Sequence, residues 1–253
     1  MEKKTMEVVE SEVSDTCWDV DKYFLDLKEK VDQEYKIANL ARKKGIDPEY
    51  CVEVPLASSM AEKCVELIST MYPQLPVEKI TLRIVELEEQ YGKLDSTVAF
   101  CIAKEIADGK FYEFDEKMKA IDCGIRMGFA YITLGVVASP LEGYTGIDIC
   151  KTLDGKEYWR ANFSGPIRSA GTTATCVILM LIDYLREHFG YAKYDPTEEE
   201  VMRYVVENND YNDRVTNLQY LPSEEEMIFL ARNIPIQISG DPTESREVSN
   251  FRD

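Results

Sequence analysis

Histidine is almost missing from this chain. His188 is the single one in 253 residues, so a catalytic pair or triad that uses imidazole has only that side chain to draw on. Basic residues are outnumbered, 29 against 47 acidic, and the net charge of −18 makes the surface as a whole repel polyanions. Free-standing nucleic-acid binding is therefore a poor first reading unless basic groups gather in one place. Long apolar runs are also wanting. The longest, Cys176 to Ile182, has seven residues, where a membrane span needs about 20. Met1 to Asp15 alternates acidic and apolar residues and lacks the basic start and apolar stretch of a signal peptide. The seven cysteines, at 17, 51, 64, 101, 123, 150 and 176, match no metal knuckle, and their irregular spacing reads as reduced thiols. No internal repeat or low-complexity stretch appears. The expectation is a soluble, cytoplasmic protein with no membrane partner.

What is present is the composition of a folded globular protein, 45% hydrophobic with 10% aromatic, long enough for one large domain or two small ones. Val20, Phe24, Leu27, Val31, Tyr35 and Ala38 recur at steps of four and three, which paints one apolar stripe on a helix. Gly45 and Pro48 end it. Two or three more helices are expected between Cys51 and Lys110, and another from Phe114 to Val137. The pattern then changes to strands, Tyr144 to Lys151 and Lys156 to Phe163, joined by Asp154-Gly155, a strong hairpin signal. A helix from Thr172 to Phe189 is apolar on nearly every side. Thr197 and Ser223, each followed by three glutamates, cap two further helices, and a short strand covers about 234–239. The fold class is α+β: a helical arm (1–50) that is a candidate partner-docking segment through Val20, Phe24, Leu27 and Val31, then a helix-rich domain (51–253). That domain holds a small antiparallel sheet, made of the hairpin at about 145–163 and the short strand.

The stretch Gly165-Pro166-Ile167-Arg168-Ser169-Ala170-Gly171 is the most informative for chemistry. Glycines let backbone approach a ligand, Arg168 offers a charged fork and Ser169 a hydroxyl, and the helix that follows presents unpaired N–H groups. Gly165, Arg168, Ser169 and Gly171 are thus candidate phosphate or DNA contacts; the alternative is an ordinary strand-to-helix turn, since the loop matches no nucleotide-binding fingerprint. His188 lies in the last turn of its helix, where a structural role with the carbonyl end is expected. Asp19-Val20-Asp21 is the single Asp-x-Asp pair and reads as a helix cap, because two-metal chemistry needs several converging carboxylates. Tyr158, Trp159 and Phe163 on the hairpin suit either base stacking or the core, and alternation favours the core. No catalytic residue and no metal ligand is assigned.

Five blocks in order carry a family resemblance: Pro140-Leu141-Glu142-Gly143, Gly165 to Gly171, Tyr194-Asp195-Pro196-Thr197-Glu198-Glu199-Glu200, Leu218-Gln219-Tyr220 and Gly240-Asp241-Pro242-Thr243-Glu244. They resemble the N-terminal region of the large subunit of archaeal family D DNA polymerase. The resemblance implies a replicative, two-subunit nucleotidyltransferase whose large subunit polymerises DNA with Mg2+ and whose small subunit is a 3′–5′ exonuclease. It places the metal-binding aspartates beyond position 253. By resemblance this segment is non-catalytic and serves subunit assembly and the framing of the DNA path, its partners being the small subunit, the remainder of the large subunit and DNA. Two other readings stand beside it, a protein-interaction module and an independent phosphoester-handling enzyme that uses the glycine loop.

Overall fold

A computed structural model of the chain describes residues 19–46, 57–136, 139–165, 167, 172–215 and 217–240. Residues 1–56 and 57–253 form two compact units. The described part of the first is helix α1, Val20–Lys43. Asp19 caps it by accepting from Lys22 N at 3.0 Å. At the other end Gly45, at φ +70°, donates to Arg42 O while Ile46 donates to Ala41 O, the paired bonds that close a helix on a left-handed glycine. None of its 24 residues is buried.

The second unit is mostly helical. Helices α2 (Met60–Ser69), α3 (Val77–Tyr91) and α4 (Ser96–Ala107) precede α5 (Lys117–Ile132). Helix α5 is the hub, because it is buried on opposite sides. Cys123, Met127, Ala130 and Tyr131 join Ile68, Ile80, Ile84 and Ile102 of the first three helices in one core. Ile121, Ile125 and Phe129 join Trp159 of the sheet and Ile178, Leu181 and Leu185 of α6 (Thr172–His188) in another.

Two glycines allow this double burial. A Cβ on Gly124 would stand 2.4 Å from the Ala103 carbonyl oxygen, and one on Gly128 would stand 3.0 Å from that of Ala99. The α4 backbone therefore lies directly on α5 through Ala99 and Ala103, a separation that no side chain at 124 permits. Helix α5 starts three residues later than the periodicity suggests. Phe114 is diverted into an edge-to-face stack with Tyr72 and Tyr112, with centroids 5.8 and 5.0 Å away. It ends at Ile132, where Thr133 and then Leu134 and Gly135 at positive φ turn the chain.

The hairpin forms as the Asp154-Gly155 pair dictates. Strand β1 (Tyr144–Lys151) runs antiparallel to β2 (Glu157–Phe163), with Ile149 opposite Trp159. Gly155 takes φ +82° in the turn. Strand β3, Gln237–Ser239, lies beside β2 but runs parallel to it, so the sheet is mixed and not wholly antiparallel. The connection permits the parallel sense. Between β2 and β3 the chain passes through α6, α7 (Glu198–Arg214) and α8 (Glu224–Asn233), and a parallel pair requires a crossover of about a dozen residues or more. The α+β class holds. Both late helices open with a full capping box, Thr197 with Glu200 and Ser223 with Glu226. No helix among the described residues is long and apolar enough to cross a membrane.

Candidate functional site

Parts of three of the five sequence blocks, 140–143, Gly165 and Gly240, meet at one corner of the second unit. Its foundation is Arg126 of α5, 4% exposed, with Asp122 one turn before it. Arg126 Nε donates to Asp122 Oδ2 at 2.7 Å. Its Nη1 donates to the carbonyl oxygens of Pro140 at 2.7 Å and Tyr144 at 2.8 Å. The chain there forms a wide π-helical turn, Ser139–Gly143. The guanidinium also lies over the Tyr144 ring, 4.8 Å from its centroid. Asp122 Oδ2 accepts a second bond, from the Tyr72 hydroxyl at 2.5 Å.

Electrostatics hold Arg126 charged and the two phenols beside it neutral. Burial opposes the Arg126 charge, but Asp122 outweighs it and the guanidinium pKa ends above its usual value. Burial, followed by the Asp122 charge, drives the Tyr72 and Tyr144 phenols upward, so both remain protonated in the physiological range.

Two further blocks attach to the turn. Ser164 N donates to Gly143 O at 2.8 Å, its hydroxyl donates to Glu142 O, and Ile167 N donates to Ser164 O at 3.1 Å. Gly240 passes so close over β2 that a Cβ there would lie 1.8 Å from Phe163 O. Only glycine fits. The stretches 140–144, 163–165 and 240 are thus bound into one frame by main-chain contacts.

Of the four loop candidates, Gly165 sits in this frame and is half-buried. Arg168, Ser169 and Gly171 lie outside the described residues, as do the first two residues after Gly240. Val20, Phe24, Leu27 and Val31 fall on α1 as the spacing predicts, with Val20 and Phe24 more than half exposed, at 58% and 52%. His188 Nε2 lies 2.6 Å from Asp108 Oδ1, which ties the end of α6 to the end of α4. Trp159 is fully buried and Tyr158 nearly so, with its hydroxyl on Gln237 at 2.9 Å, so neither presents a ring to a base. Among the described residues no three His, Cys, Asp or Glu side chains gather to hold a metal ion, so they do not fit a Mg2+ centre.

Sequence reasoning passed over Arg126 and Arg186. Arg186 is also buried, at 3%, and donates to Asp183 at 2.7 Å and to Tyr191 O at 2.5 Å. The available signal was an Asp followed by an Arg at a spacing of four or three inside an otherwise apolar helical stretch.

Comparison with known proteins settles the family. The N-terminal family of the DNA polymerase II large subunit, DP2, matches residues 22–253. The chain belongs to that family. It is 44% identical over 230 residues to the DNA polymerase II large subunit of Nanoarchaeum equitans, which covers 91% of this chain and 18% of the relative. The large subunit of Archaeoglobus fulgidus is 42% identical over 246 residues, 96% of this chain and 20% of the relative. That of Methanosarcina barkeri is 40% identical over 230 residues, 91% and 19%. The chain therefore spans about a fifth of the length of the DNA polymerase II large subunits it matches. In this member of the DP2 N-terminal family, the corner built on Arg126 frames the turn 140–144 and its junction with Ser164. The Nε and Nη1 donors of its guanidinium are spent on protein oxygens, which makes the residue a structural clasp of the turn.

Proposed function

We propose that this DP2 N-terminal segment is a non-catalytic part of a replicative DNA polymerase, serving subunit assembly and framing the path of the DNA. The observation that carries the reading is α1. A capped helix of 24 residues with an apolar stripe and no buried residue is built to be covered by something. The small subunit of the polymerase is the partner proposed for Val20, Phe24, Leu27 and Val31. The remainder of the large subunit would supply the carboxylates and Mg2+ of nucleotide joining, and the small subunit the associated 3′–5′ exonuclease, in a cytoplasmic heterodimer. Gly165, Arg168, Ser169 and Gly171 are proposed to meet either a DNA phosphate or a carboxylate of a neighbouring domain.

The test is co-purification. Removing residues 1–44 and co-expressing the rest with the small subunit should abolish their association. Retained association at unchanged stoichiometry removes α1 from the interface and, with it, the support for the assembly role.

A further inference from the structure

The α7–α8 end of the second unit bears an apolar surface that nothing described so far uses. Tyr204, Met227, Leu230, Ala231, Ile234 and Ile238 line a groove of about 390 Å³ between α7, α8 and β3. A second hollow of about 370 Å³ adjoins it through Leu230 and is edged by Glu225 and Glu226. Phe229 and Leu230 stand 66% and 55% exposed, and Tyr220 66%. Large apolar side chains clustered in this way mark an interaction surface, whereas one exposed leucine marks nothing.

Charge identifies what fits. Residues 198–233 contain nine carboxylates and three arginines. Each arginine is already ion-paired with a neighbouring acid: Arg203 with Glu207, Arg214 with Asp210, and Arg232 with Glu198. Among the described residues Glu224 and Glu225 carry no ion pair, and Glu226 is held by Tyr220 and the Ser223 cap. The groove is therefore apolar within and acidic at its edge. A second copy of the chain would bring the same acidic edge against it and be repelled.

We infer that the α7–α8–β3 groove receives an apolar segment flanked by lysine or arginine, contributed by the part of the large-subunit polypeptide outside the aligned fifth. About four-fifths of each relative's length lies there. A segment of the same polypeptide is held at high effective concentration, which suits a shallow groove better than a free partner does. The inference rests on the assembly role proposed above and assigns a surface to it.

The experiment titrates the 253-residue chain with the polypeptide that makes up the remaining four-fifths of the Archaeoglobus fulgidus large subunit, at low and high salt, and separately with the small subunit. The unaltered chain should bind the large-subunit polypeptide, and more weakly at high salt. Leu230→Asp and Phe229→Asp should each weaken that binding roughly tenfold or more. Glu225→Lys, on an exposed side chain outside the capping box, should weaken it less and flatten the salt dependence. Circular dichroism melts of the variants should match that of the parent, since all three side chains are exposed. Binding by Leu230→Asp and Phe229→Asp equal to that of the parent overturns the groove while leaving the arm's role intact. Salt-independent binding overturns the basic chemistry, and a loss confined to the small subunit overturns the choice of occupant. No binding by the parent overturns both the groove and the assembly reading on this side.

Discussion

Helices α1 and α5 are similar in length class and opposite in construction. Helix α1 has 24 residues and buries none; α5 has 16 and buries eleven. Each is marked by its glycines. In α1 the glycine comes after the end and closes the helix; in α5 two glycines sit inside it, where they cost helix propensity but let α4 approach. A helix like α5 is specified by its own domain. For α1 the described residues show a cap at each end and no buried side chain, and isolated helices of that kind are marginal in water.

Substitutions sharpen this contrast. The largest effect is expected at Arg126, where methionine leaves the Asp122 carboxylate with no cation beside it and takes a donor from the Pro140 and Tyr144 carbonyls. Chemical denaturation should show a loss of about 3 kcal/mol. The double variant Arg126→Met with Asp122→Leu should recover part of it, because the stranded charge is gone; a strictly additive result would show that the pair is not coupled.

Gly124→Ala comes next. Alanine gains about 1 kcal/mol of helix propensity but places a methyl 2.4 Å from the Ala103 carbonyl, and backbone cannot rotate away. A net loss of about 2 kcal/mol is expected from overpacking, and a stabilised variant would show that α4 and α5 separate at no cost. The smallest effect belongs to α1. Leu27→Ala should change the stability of the isolated chain by under about 0.5 kcal/mol, in keeping with a surface substitution. A loss as large as that at Gly124 would erase the distinction between the two helices.

Elements with local causes were legible in advance. Asp154-Gly155 fixed the hairpin because its turn tolerates φ > 0, and Thr197 and Ser223 marked helix starts because a hydroxyl three residues before a glutamate closes a capping box. The stripe from Val20 to Ala38 placed α1. Features that depend on tertiary approach were not legible. The parallel sense of β3 is set by how the chain returns after three intervening helices, and the late start of α5 by aromatic stacking at Phe114. Arg126 is hidden among Gly124, Ile125, Met127 and Gly128, where only the structure shows a turn of backbone waiting for its donors. Of the glycine loop, the described residues reveal the footing at Ser164 and Gly165 but not the side chains at 168 and 169.

The grip of Arg126 on the turn has a consequence for variation. It grasps the oxygens of the peptide chain, so the hold on 140–144 does not call on the side chain of Glu142, which is exposed, while Leu141 packs against the first core. Position 142 is free to be retuned toward whatever it confronts without disturbing the scaffold, whereas positions 122 and 126 can change only in concert.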